Sequence, residues 1–266
     1  MKMQSGVNVK VRLLTYSLEP QRIVASAAKL CYSSADIDSI IEKQDDQNSG
    51  DFINMLMEMG HESPIEHAYF TFGIENVSRS LLAQITRHRI ASFSVQSQRY
   101  VREKQFDFII PPAIENNPEA LEIYLDNMEK SQAAYDKIAE ILKEESKNSF
   151  IEKGETIQSA EKKAEKAVLE DARFVLPNAC ATKIIMSMNA RSLLNFFSQR
   201  CCNRAQWEIR ELATQILTIC REIAPDIFAK AGPSCLYAPC PEGKYSCGKI
   251  IDVREKFSKI NLVGNQ

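Results

Sequence analysis

No apolar run in this 266-residue sequence approaches the roughly 18 residues that a helix needs to cross a bilayer. No membrane partner is therefore expected. The opening residues, MKMQSGVNVKVRLL, hold no apolar block followed by a small-residue cleavage site, so no secretory leader is expected. Eight cysteines are too few for a disulfide scaffold at this length, which argues for a reducing, cytoplasmic setting. Nor is positive charge in excess. The formal net charge is −2 and the pI is near 6.0. A general nucleic-acid binder carries a basic face and a high pI, so no nucleic-acid partner is expected. No internal repeat and no Gly/Ser linker divides the chain.

What is present is an ordinary globular composition, 44% apolar and 26% charged, long enough to bury a sizeable core. The patterning predicts an α+β protein, a single domain with a mostly antiparallel central sheet flanked by long helices. Val7 to Leu14 alternates as a half-buried strand does. Ser17 and Pro20 open an amphipathic helix to about Tyr32, and Asp51 to Met59 reads as a helix capped by Gly60. Ala68 to Ile74 is an aromatic-rich strand, and Ser78 caps a short helix ending near Arg87. FDFII is a strand stopped by Pro111 and Pro112. Pro118 to Lys147 and Thr156 to Phe174 form a charged helical hairpin around Gly154. ATKIIMSM is a strand, Asn189 caps the next helix, and a last helix runs from about Ala205 to Ala224. The tail from Gly232 reads as loop.

Against this even background RHRIASFSVQSQRY, residues 87–100, stands out. Arg87, His88, Arg89, Arg99 and Arg102 fall within sixteen residues with no carboxylate among them. Cations gathered without carboxylates need an anion or solvent, and arginine suits bidentate recognition of phosphate. Ser92, Ser94 and Ser97 add hydroxyl donors. In an extended backbone Ser97 and Arg99 point to one side and could hold one phosphate between them. The plain alternative is a solvated basic loop. Ser97 as a nucleophile fares worse, because it needs an oriented base and the chain has only three histidines.

Three other stretches carry chemistry-bearing residues. HESPIEH, residues 61–67, holds two histidines and two glutamates, but zinc binding by H-E-x-x-H needs histidines one helical turn apart. NARSLLNFFSQR, residues 189–200, places Arg191 and Asn195 on one helix face and Arg200 about 140° round from Asn195. Cys235, Cys240 and Cys247 fall one ligand short of a structural zinc set unless Cys31 or Cys220 joins them, and no metal is expected. Cys201 and Cys202 read as mid-helix packing residues.

RHRIASFSVQS resembles the motif of the flavin-dependent thymidylate synthases, R-H-R followed after seven residues by S. NARSLLNFF and AQWEIR are similar to that family's downstream blocks, in the same order. The resemblance implies a family-like catalytic domain over residues 1–230, followed by a cysteine-containing tail over 231–266. It implies a methyltransferase that converts dUMP to dTMP. Methylene-tetrahydrofolate is the carbon donor, FAD the hydride carrier and NADPH the reductant, in a homotetramer with shared active sites.

By the same resemblance Gln84, Arg87, Ser97, Arg99, Arg173 and Arg200 bind dUMP, with Gln96 and Gln98 lending backbone groups. Arg200 is the catalytic member. A guanidinium beside the uracil favours ionisation at N3 and makes C5 a better carbon nucleophile. Ser63, Arg87, His88, Arg89, Asn189, Arg191 and Asn195 match FAD-contacting positions, with His61 beside them. Val95 and Arg204 stand where other members carry different residues. The rival reading is a non-catalytic nucleotide- or RNA-binding protein that uses the basic loop for phosphates. It lacks both a high pI and an exposed aromatic platform.

Overall fold

The computed structural model describes residues 3–5, 8–44, 49–99 and 106–260. Val7 and Arg102, assigned above to the first strand and the basic stretch, lie outside them. In chain order the elements are β1 (Met3–Ser5), β2 (Lys10–Tyr16), α1 (Pro20–Leu30), α2 (Ile37–Glu42) and α3 (Gly50–Glu58). Next come β3 (Tyr69–Ser78), α4 (Arg79–Ile85), β4 (Ser92–Val95), β5 (Phe108–Ile110) and α5 (Pro112–Glu115). The long helices α6 (Pro118–Glu152) and α7 (Ile157–Ala172) precede β6 (Ala181–Asn189). The chain ends in α8 (Ala190–Arg200), α9 (Trp207–Ile223), α10 (Pro225–Phe228) and α11 (Ile250–Lys259).

The helix starts follow from their caps. Asn117 Oδ1 accepts from the Ala120 N–H at 3.1 Å, with Pro118 in the first turn, where its missing N–H has no cost. Thr156 Oγ1 accepts from Ser159 N at 3.3 Å, and Asn189 Oδ1 from Ser192 N at 2.8 Å. Ser78 Oγ accepts from Leu81 N at 3.0 Å, as its position before α4 predicts. Gly60 ends α3 at φ +74°, a left-handed conformation that an L side chain rarely adopts.

The chain divides into two compact units. The first comprises residues 1–8, 75–83 and 95–184, the second residues 9–74, 84–94 and 185–266. In the first unit β1 pairs in parallel with β5, Met3 opposite Phe108. Phe106, Phe108, Ile110, Met128 and Cys180 make one apolar cluster, and Tyr135, Ala139, Val168, Leu169 and Ala172 another between α6 and α7. The polar faces of that hairpin carry exposed ion pairs such as Lys137–Glu140 at 3.1 Å. Such pairs contribute about 0–1 kcal/mol each, so the buried apolar seam holds the hairpin.

The second unit carries most of a four-stranded antiparallel sheet, in the order β2–β3–β6–β4. Phe70 from β3, Phe197 from α8 and Phe228 from α10 converge there. Their rings meet edge-on at 5.5 Å (Phe70–Phe228) and 5.9 Å (Phe197–Phe228), and all three are fully buried. This aromatic contact fixes α8, the helix that bears Arg191 and Arg200.

The tail departs from the loop expected of it. It contains a 3-10 turn at Gly243–Tyr245 and the helix α11. Val253 and Phe257 are buried, and Arg221 of α9 donates to the Phe257 carbonyl at 2.9 Å. Ten residues with two core positions give too little periodicity to read in advance.

Candidate active site

The cleft lies in the second unit. After α4 the backbone turns at Thr86–Arg87 and runs irregularly through His88 and Arg89 before entering β4. Across from this segment stands α8. The two border a cleft of about 810 Å³ with Arg87, His88 and Arg89 on one side and Asn189, Arg191, Asn195 and Arg200 on the other. The R-H-R motif and the NARSLLNFFSQR helix, separated by a hundred residues of sequence, thus face one space.

Arg200, the last residue of α8, donates from Nε to His88 Nε2 at 3.0 Å. The His88 ring stands edge-on to Phe196, centroids 5.0 Å apart. Burial first, and then the adjacent Arg200 charge, lower the His88 pKa from 6.5 to about 4. Burial and the nearby Arg87 charge also lower Arg200, yet a guanidinium starts so high that it stays a cation. The cleft therefore pairs a fixed cation with an imidazole that is neutral at physiological pH.

Arg191 is held differently. Its Nε lies 3.3 Å from Glu62 Oε2, and its Nη1 donates to Glu66 Oε1. The two carboxylates raise its pKa, Glu66 most strongly. Both glutamates line the cleft, although the sequence pointed to them only within a rejected metal motif. The HESPIEH segment forms a 3-10 turn at Pro64–His67, not the α-helical turn of a zinc site. His61 and Ser63 line an adjoining cavity of about 360 Å³ that shares Glu62 and Arg191 with the main cleft.

Of the residues matched to dUMP, Gln84, Arg87 and Arg200 belong to the second unit, and Gln96, Ser97, Gln98, Arg99 and Arg173 to the first. In the first unit Ser97 Oγ accepts from the Arg99 backbone N–H at 3.2 Å. The chain turns at Gln98–Arg99, so the extended geometry assumed for Ser97 and Arg99 is corrected. A serine that bonds the backbone two residues on favours a turn over a strand. The Gln96 N–H is also engaged, donating to the Lys183 carbonyl at 3.0 Å. Gln98 is buried. Arg99 and Arg173 meet at one residue: Arg99 Nη2 lies 2.9 Å from Glu170 Oε2, and Arg173 Nε donates to the Glu170 carbonyl at 3.1 Å. Glu170 was not anticipated. Its one signal is a carboxylate three residues before Arg173 at the end of α7.

The cysteines need correction too. Cys201 and Cys202 do not sit mid-helix: α8 ends at Arg200 and Cys201 is its C-cap. Burial pushes the Cys201 thiol up to about 12, so it is protonated and inert at neutral pH. Cys202, Cys235 and Cys240 border a smaller cavity of about 230 Å³ beside Arg204 and Glu242. Among the described residues no three of His, Cys, Asp and Glu are disposed to hold a metal ion.

Residues 12–226 match the family model described as thymidylate synthase complementing protein. The flavin-dependent thymidylate synthase of Clostridium tetani is 51% identical over 251 residues, covering 94% of this chain and 98% of its own. That of Geobacter sulfurreducens is 41% identical over 256 residues, covering 96% and 100%. A UMP/dUMP methylase from Streptomyces cacaoi, crystallised with 5-Br dUMP, shares the fold. Its TM-score is 0.65 at 22% identity, over 86% of this chain and 96% of that one. With near-complete matches in length and the two arginine-bearing motifs folded onto one cleft, the chain belongs to the flavin-dependent thymidylate synthase family.

Proposed function

We propose that the protein methylates dUMP reductively to dTMP, with methylene-tetrahydrofolate as carbon donor and FAD with NADPH as hydride source. The carrying observation is the Arg87–His88–Arg89 segment facing Arg200 across one cleft. Three arginines (Arg87, Arg89 and Arg191) and two carboxamides (Asn189 and Asn195) supply cations and neutral donors. That is the donor set a dinucleotide with a diphosphate and a polar ring system requires. Asn189 gives its oxygen to the helix cap, which leaves its amide N–H groups as donors. These residues fit FAD, with His61 and Ser63 extending the site through the adjoining cavity. Bound FAD would supply the redox step, with reducing equivalents taken from NADPH.

Arg200 acts on the uracil. Its fixed positive charge stabilises the anion formed when N3 ionises, and that charge raises the nucleophilicity of C5. By the resemblance Arg99, Ser97 and Arg173 of the first unit contact a dUMP phosphate, in active sites shared between subunits. Glu170 competes with that phosphate for Arg99. A thiolate addition to C6 has no suitable group in Cys201, which burial keeps protonated. The homotetramer implied by the family finds support in α1 and its flanks, where Leu18 (83% exposed), Leu30 (51%) and Tyr32 (75%) stand apolar and uncovered. The cytoplasm, where NADPH and reduced folates are available, is the setting this chemistry needs.

Titration of the purified protein with FAD, followed by flavin fluorescence, tests the cofactor assignment. Stoichiometric uptake by the normal chain, weakened in Arg89→Ala, is expected. A folded protein that takes up no flavin would overturn the reading.

A further inference from the structure

Arginine Nε has a hydrogen to give and no lone pair to receive one. The 3.0 Å contact from Arg200 Nε to His88 Nε2 therefore requires an unprotonated Nε2. A neutral imidazole lacking a proton on Nε2 carries it on Nδ1. We propose that His88 is the positioning residue for Arg200: a neutral, Nδ1-protonated imidazole whose Nε2 lone pair fixes the guanidinium through Nε and leaves both terminal NH2 groups to the substrate. This deepens the function proposed above and rests on Arg200 acting there on the uracil.

The geometry supports it from three sides. Phe196 lies one helical turn before Arg200 on α8 and is fully buried, so one helix face both steadies the imidazole ring and bears the guanidinium. The His88 backbone N–H donates to the Ile85 carbonyl at 3.1 Å, which ties the ring's anchor to the end of α4. Among the described residues nothing accepts from Nδ1, so that N–H remains for a ligand. The surrounding charges favour the neutral ring. Arg87, Arg89, Arg191 and Arg200 border the cleft as cations, and its two carboxylates, Glu62 and Glu66, both pair with Arg191. An imidazolium would add one more positive charge beside Arg200 with no carboxylate free to offset it. Fixing a guanidinium through Nε leaves its plane little freedom, and a misplacement of about 1 Å in such a group can lower turnover about a hundredfold.

Two variants of the FAD-loaded enzyme test this, together with a spectrum of the unaltered protein. His88→Phe keeps a ring against Phe196 and removes the acceptor; kcat should fall about ten- to hundredfold with little change in the KM for dUMP. His88→Gln restores an acceptor and should recover most of that loss. Equal losses in the two variants, a loss confined to KM, or a loss that disappears at saturating FAD would each overturn the proposal. The chain has only three histidines, so 15N-histidine NMR can resolve them. One imidazole, absent from the spectrum of His88→Phe, should show a pyridine-type Nε2 and a pyrrole-type Nδ1 at neutral pH. A protonated Nε2 at His88 would overturn the proposal whether or not the protein makes dTMP, because the spectrum needs no turnover.

Discussion

Arg200 and His88, 112 residues apart in the chain, meet at 3.0 Å with the arginine donating and the histidine accepting. His88, counted in the sequence among the cations of the basic stretch, does not add to the positive charge. Here burial and the neighbouring cation keep the ring neutral. Its role becomes that of a fixed acceptor, and the catalytic charge stays on the arginine.

Replacing Arg200 separates charge from geometry. Arg200→Ala should lower kcat by about 10²–10³, the range for removal of one preorganised donor to a developing anion. The residue is only partly buried, so the thermal midpoint should stay close to that of the parent. Arg200→Lys should recover little, since a single lysine ammonium lacks the planar fork that donates to His88 through Nε and to the substrate through both terminal NH2 groups. Steady-state kinetics with a melting curve for each variant checks this. Near-normal turnover in Arg200→Ala would remove the catalytic assignment.

The depressed His88 pKa makes stability depend on pH with a definite sign. Below about 6.5 the unfolded chain protonates this histidine, whereas the native chain does so only near 4. Between those values the unfolded state binds more protons. The contribution is therefore complete above about 6.5 and is lost as pH falls through about 4. Glu155, held down chiefly by its hydrogen bond from Lys163, adds an acid-side loss that begins lower, below its ordinary value of 4.5. Denaturation midpoints between about pH 5 and 6.5 should thus fall with pH in the parent and flatten in His88→Phe. Parallel slopes would contradict the assignment.

Asn189 serves two ends with two atoms. Asn189→Asp keeps the oxygen that caps α8 and loses the amide donor, so stability should hold while FAD binds more weakly. Asn189→Ala should lose both, with about 1 kcal/mol of stability going with the cap. Isothermal FAD titration beside urea denaturation distinguishes these outcomes. Equal FAD affinity in Asn189→Asp and the parent would show that the amide does not face the cofactor.

Glu170 competes for Arg99. The pair is 45% and 50% exposed, so it is worth about 0–1 kcal/mol in water. Glu170→Gln should therefore tighten dUMP binding up to about fivefold. Raising salt should shrink the difference between variant and parent. Weaker binding in Glu170→Gln would mean that Glu170 holds Arg99 in place for the nucleotide.

How legible this was in the sequence depends on the range of each interaction. The caps at Ser78 and Asn189 and the turn at Gly60 act over two to four residues, and they read correctly from local sequence. The cations of R-H-R were visible because no carboxylate lies near them in the chain. The carboxylates that pair with Arg191 and Arg99 were not visible. Glu66 is 125 residues from Arg191 and Glu170 is 71 from Arg99, and only the fold brings them together. The end of α8 was missed for a different reason. Gln206 is an unusual N-cap, yet its side-chain oxygen accepts from Glu208 N and Ile209 N, at 3.0 and 3.1 Å, and starts α9 afresh. The segment between is a turn, which puts Cys201 and Cys202 at a helix end.

Tritium release from [5-3H]dUMP tests the central claim most directly, because it reports bond breaking at the carbon that Arg200 is held to activate. FAD, NADPH and methylene-tetrahydrofolate are supplied together and then each omitted in turn. Release that requires all three, with dTMP formed and no dihydrofolate, is the predicted result. No release from the folded, FAD-loaded protein would contradict the account.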